Sequence, residues 1–152
     1  MKLAEALILR ADHQKRLEQL RQRLVRSAKI QEGEKAPEDP TQLIKELEDT
    51  ASELAALIRR INLTNSASEL PNGMSLTDAL AQRDVLGKKQ SIYRDLAQAA
   101  VVTQDRYSRS EVKFKSTVSV AEMQERADLL AREYRDLDAL IQETNWKVDL
   151  AE

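Results

Sequence analysis

Apolar residues recur along this chain in steps of three and four, most cleanly near its C-terminal end. Met123, Ala127, Leu130, Tyr134, Leu137 and Ile141 are spaced by four, three, four, three and four. That spacing lays one apolar stripe along a helix, as a bundle or coiled-coil seam requires. Leu129, Ala131 and Leu140 widen the stripe. Ser119 and Glu122 make a capping box, so the pattern predicts a helix over 119–146 that extends roughly 40 Å.

Three earlier stretches carry related patterns. Over 3–29, Leu3, Ala6, Leu17, Leu20 and Leu24 share a seam that also passes through Arg10 and His13. Asp39-Pro40-Thr41-Gln42 reads as a helix start. It opens a helix over 40–61 with the stripe Ile44, Leu47, Ala51, Leu54, Ile58 and Ile61. Asn62-Leu63-Thr64-Asn65-Ser66 then offers short polar groups to cap its last turn. Ser75 and Asp78 open a helix over 76–100 whose line is Leu76, Ala79, Leu86, Tyr93, Ala97 and Ala100. Arg83 and Gln90 fall on that line, and Asp84 stands beside Arg83. The period changes over 101–118, where Val112, Phe114, Ser116 and Val118 alternate with Lys113, Lys115 and Thr117. Period two with β-branched and aromatic residues predicts a strand, paired with Val101-Val102-Thr103.

The expected fold is therefore mainly α: one domain over 1–152, a long-helix antiparallel four-helix bundle with a small β-hairpin or strand insertion before the last helix. Composition agrees. Among 152 residues there are only three Gly and three Pro, and 33% are charged. Cys is absent, which removes thiolate nucleophiles and thiolate metal sites and is compatible with a cytoplasmic protein. No run approaches the roughly 20 apolar residues of a membrane-spanning helix.

Charge adds a division within the first half. Lys15, Arg16, Arg21, Arg23, Arg26 and Lys29 face a single acid, Glu18, across 15–29. From Glu32 to Glu53 the balance reverses, with eight acids against Lys35 and Lys45. Such blocks suit an antiparallel helix pair or matching faces of two subunits. The net charge of -2 and the absence of aromatics within the basic block give no strong nucleic-acid signal.

Chemistry is sparse. One His, no Cys and no Gly-rich phosphate loop leave no reaction signature. The i,i+3 pairs Glu122/Glu125 and Glu133/Asp136 lie on one helix and read as solvated acids. A candidate polar site between helices comprises Arg10, Asp12, His13, Asn62, Asn65, Arg83 and Asp84, which could hold a small-molecule or metal ligand. Glu32 and Glu34, in the turn before Pro37, are weak candidate metal ligands. Catalytic residues and cofactors are not specified by these patterns.

Several landmarks carry a resemblance when taken together. They are Met1-Lys2-Leu3-Ala4-Glu5-Ala6-Leu7, Arg10-Ala11-Asp12, Gln31-Glu32-Gly33-Glu34, Ile61-Asn62-Leu63-Thr64-Asn65 and Leu76-Thr77-Asp78-Ala79-Leu80 with Arg83-Asp84. Tyr107-Ser108-Arg109-Ser110-Glu111, Asp136-Leu137-Asp138 and Ile141-Gln142-Glu143-Thr144-Asn145-Trp146 complete the set. In these the chain resembles the bacterial septicolysin-like family of small helical proteins. The resemblance implies a mostly helical fold with a small β element and a homo-oligomer, and the family's name implies membrane activity. Arg10, Asp12, Asn62, Asn65, Arg83 and Asp84 match family landmarks. The functional expectation is a homo-oligomeric assembly or interaction protein. The alternatives are an enzyme using the polar inter-helix site and a membrane-active protein.

Overall fold

Four helices carry the chain: α1 (Leu3–Arg26), α2 (Pro40–Ala67), α3 (Leu76–Ala99) and α4 (Val120–Lys147). The computed structural model describes residues 1–103 and 112–152. Three of the helix starts follow directly from local chemistry. The Asp39 carboxylate accepts from the Thr41 amide at 3.0 Å, with Pro40 in the first turn. Ser75 Oγ accepts from the Asp78 amide at 3.0 Å, and Ser119 Oγ accepts from that of Glu122 at 3.3 Å. Each bond satisfies an amide that the helix itself leaves unpaired.

The chain divides into two units, Met1–Glu69 with Gln142–Glu152, and Leu70–Ile141. In the first, α1 and α2 run antiparallel. Arg23 bonds Glu38 through Nε at 2.9 Å, Arg16 pairs with Glu46, and His13 Nε2 lies 3.9 Å from Glu53. Residue numbers on α1 fall as their partners' rise. The expected seam of α1 is the observed one. Leu3, Ala6 and Leu20 are buried, Arg10, His13, Leu17 and Leu24 are half-buried, and Ser27 closes the row just past the helix.

The seam of α2 differs from the expected one. The inward positions are Leu43, Leu47, Thr50, Leu54, Leu57, Ile61 and Thr64, while Ile44 is 49% exposed. The apolar stripe of α2 is wider than the seam, so the same pattern fits two phases. Thr50 and Thr64 take places that hydropathy alone assigns to larger apolar residues. Helix α2 also runs past 61 to Ala67. Thr64 Oγ1 donates to the Arg60 carbonyl at 2.8 Å and accepts from the Ala151 amide at 2.9 Å.

That last bond belongs to a closure of the chain ends. The Leu3 amide donates to the Val148 carbonyl at 3.0 Å and the Leu150 amide to the Met1 carbonyl at 2.9 Å. Lys2 Nζ meets Asp149 at 2.8 Å, and Arg60 Nε donates to the Ala151 carbonyl at 2.7 Å. Trp146 is 56% exposed, whereas Asn145 beside it is buried. Continuing the α4 stripe from Ile141 in steps of three and four reaches Thr144, Asn145 and Val148, which turns 146 outward.

In the second unit, α3 and α4 are also antiparallel. Arg83 Nη1 donates to Asp138 at 2.9 Å, and the Arg126 guanidinium sits 5.7 Å from the centre of the Tyr93 ring. Gly87 stands against Tyr134; a Cβ at 87 would lie 3.2 Å from that ring. The expected lines hold on both helices: Leu76, Ala79, Leu86 and Ala97 are buried on α3, and Met123, Ala127, Leu130, Leu137 and Ile141 on α4. Leu129, expected to widen the stripe, is instead 54% exposed. A tight turn precedes α3, with Gly73 at φ +81° and its amide bonded to the Leu70 carbonyl at 2.9 Å.

The expected β element is not found. Among the described residues, 101–103 and 112–118 contain no strand. A lone two-stranded hairpin buries too little to hold itself in water, and Lys113 and Lys115 give one of its faces to solvent. The link between the two expected strands, and the family landmark Tyr107–Glu111, lie outside the described residues.

Candidate interaction surfaces

The α1–α2 pair has two unlike flanks. Arg16 and Arg23, seven residues apart, lie on one side of the α1 seam, and Glu46 and Glu53 on the matching side of α2. This flank is closed by Arg16–Glu46 and Arg23–Glu38. The Arg23 guanidinium holds the Glu38 carboxyl below the usual carboxylate range by hydrogen bonding, against an opposing effect of burial. On the other flank, Leu7, Gln14 and Arg21 repeat along α1 and Ile44, Ala51 and Ile58 along α2. Leu7, Ala51 and Ile58 are half-buried there, and Ile44 is exposed.

The candidate polar residues distribute between the two units. Arg10, Asp12, His13, Asn62 and Asn65 are in the first, Arg83 and Asp84 in the second. Arg10 has its Nε buried without a hydrogen-bond partner. His13 faces Glu53 at the outer limit of an ion pair. Asp12 and Asn62 are exposed, and Asn65 is half-buried. Arg83 is committed to Asp138 and, at 3.3 Å, to Asp84. Glu32 and Glu34 are exposed in the α1–α2 connection, where Glu34 shares a groove with Arg26, Lys29 and Lys35. Those cations disfavour a metal ion. Among the described residues, no group of three or more acidic or histidine side chains is arranged to hold one.

A second feature lies at the end of the α3–α4 pair. Leu96, Val101, Val102, Phe114 and Val118 border a cavity of about 500 Å³. Phe114 is 82% exposed and Val112 71%. The sequence singled out this segment as a strand by its alternation.

These features define a mainly helical protein of long antiparallel helix pairs, in which no described helix is long and apolar enough to cross a membrane. Residues 10–150 match the model of a family of unknown function, DUF6847, and the chain belongs to that family. This match overturns the resemblance to septicolysin-like proteins, and the expectation of membrane activity loses its ground with it. A crystal structure of a functionally unknown conserved protein from Corynebacterium diphtheriae is similar throughout. It has 47% sequence identity and a TM-score of 0.93, with 99% of this chain and 98% of that one covered. No curated protein matches the chain.

Proposed function

We propose that the protein is a cytoplasmic helical interaction protein that assembles with a second copy of itself through the flank of α1 and α2 that carries Leu7, Ile44, Ala51 and Ile58. The contrast between the two flanks carries this reading. One is occupied by ion pairs within the chain. The other leaves Leu7, Ile44, Ala51 and Ile58 partly in water. Two such flanks facing each other make a four-helix, coiled-coil-type arrangement from two copies. The 24 residues of α1 rise about 36 Å, and two helices side by side span roughly 20 Å. Each copy then buries on the order of 700 Å², or about 1,400 Å² in total, within the range of stable interfaces.

Sedimentation velocity and light scattering test this. The expected species is a dimer at micromolar concentration, converted to monomer by Ile44→Glu with Ile58→Glu while helical circular dichroism is retained. A wild-type monomer at 100 µM, on the order of a hundred-thousandfold above a nanomolar dissociation constant of a stable pair, defeats the proposal. The uninterrupted α4 passes from one unit into the other, which supports one cooperative domain.

A second reading, a small-molecule site around Arg10, is favoured by the buried and unpaired Nε of that residue. Its test is an increase in melting temperature when anionic metabolite analogues are added, lost in Arg10→Met.

A further inference from the structure

We propose that the end of the α3–α4 pair, where Phe114 and its neighbours border a partly apolar cavity, receives an acidic extended peptide of a partner protein as an added strand. Three observations converge. Lys113 to Thr117 keeps the period-two pattern of a strand yet belongs to no ladder among the described residues. Its backbone can therefore template an incoming strand. Beside it lies the cavity of about 500 Å³ lined by Leu96, Val101, Val102 and Val118, concave and apolar enough to take a side chain of that strand. Phe114, at 82% exposure, supplies the aromatic anchor that interfaces favour.

Charge selects the occupant. Lys113 and Lys115 flank Phe114 in the chain, and Lys115 borders the cavity with it. Both are exposed and neither has an ion pair among those described. A second copy of the same segment would bring lysine opposite lysine, which is unfavourable. Acidic residues at alternate positions of a different strand pair with them. An anionic lipid surface could match the charge but would leave the backbone amides and carbonyls of the segment unpaired. An acidic strand satisfies both.

The experiment titrates the full chain into a fluorescein-labelled peptide of alternating Val and Glu, read by anisotropy, with a Val and Lys peptide as control. Saturable binding of the acidic peptide is expected, weakened at least tenfold by Phe114→Ser and by Lys113→Glu with Lys115→Glu. The lysine peptide should not bind. Amide exchange at 113–117 should slow when the acidic peptide is bound. All these positions are exposed, so the melting temperature of each variant should match the wild type. Equal binding of both peptides, or acidic-peptide binding unaffected by the variants, overturns the proposal. So does binding to phosphatidylserine vesicles in place of the peptide, or self-association abolished by Phe114→Ser. Ile44→Glu with Ile58→Glu should bind the peptide as the wild type does, which separates this site from the α1–α2 flank.

Discussion

Replacing Arg10 by Met tests how the middle of the α1 seam is held. Arg10 occupies a seam position, and its Nε is buried without a partner. A buried unsatisfied donor costs about 1–3 kcal/mol. Met has nearly the same helix propensity as Arg and a flexible apolar chain that fills irregular space. The residue is only half-buried, so the rest of its guanidinium reaches water and the recovered free energy falls at the low end, about 1 kcal/mol. For a chain of this length that is roughly 2–4 °C in melting temperature. Thermal and urea unfolding followed by circular dichroism at 222 nm provide the measurement. Arg10→Ala serves as control, because it also removes the methylenes that cover the seam, and should lie below Arg10→Met. A fall in melting temperature of more than about 4 °C in Arg10→Met would refute the reasoning, since the guanidinium would then be making a net favourable contact.

Thr64→Val keeps the shape at the end of the α2 seam but removes the acceptor for the Ala151 amide. A loss of about 1 kcal/mol is expected, with faster amide exchange at 150–152 and little change elsewhere. Hydrogen bonding from Arg23 lowers the Glu38 pKa, and that from Lys2 lowers the Asp149 pKa. A carboxylate depressed in the fold stabilises fully above its ordinary range near pH 4–5 and loses that contribution as pH falls through the lowered value. The melting temperature should therefore drop between about pH 4.5 and 3, and Lys2→Met should flatten part of the drop in a pH series. Gly87→Ala gains about 0.8–1 kcal/mol of helix propensity against a contact of 3.2 Å to the half-buried Tyr134 ring. The ring edge can yield a few tenths of an ångström, so a rise of roughly 1–3 °C is expected, whereas Gly87→Leu should lower the melting temperature.

The residues that could be read in advance are those where one physical demand dominates. On α3 and α4 a narrow apolar line coincides with the buried line, and Asp39, Ser75 and Ser119 cap because nothing else there competes for the orphan amides. On α2 the demand was shared. Its apolar surface is broad, and Thr50 and Thr64 can stand inside, so the position of the seam followed from partners rather than hydropathy. Helix α2 continued through Asn62–Ala67 because Thr64 bonds both its own helix and the C-terminal tail, a contact set by residues 87 positions away. The alternation at 112–118 was visible, but strand formation needs a neighbour that the sequence pattern cannot supply. The polar candidates were visible as interruptions of seams. Whether such residues converge depends on the relative rotation of helices, which spacing within each helix does not encode. The unequal flanks of α1 and α2 were foreshadowed by the opposed charge blocks, although only the folded register shows which of those charges pair.

The bonds that join Met1–Leu3 to Val148–Leu150 have a consequence for biosynthesis. The Lys2 side chain reaches a carbonyl 145 positions later, so the first turn of α1 lacks its neighbours until those further residues have been made. At ordinary elongation rates of about 5–20 residues per second, that wait lasts roughly 8–30 s. The α1–α2 pair, whose contacts are local, can form long before. The emerging protein thus waits with Met1–Leu3 open, and Val148–Leu150, once made, close the structure that those residues began.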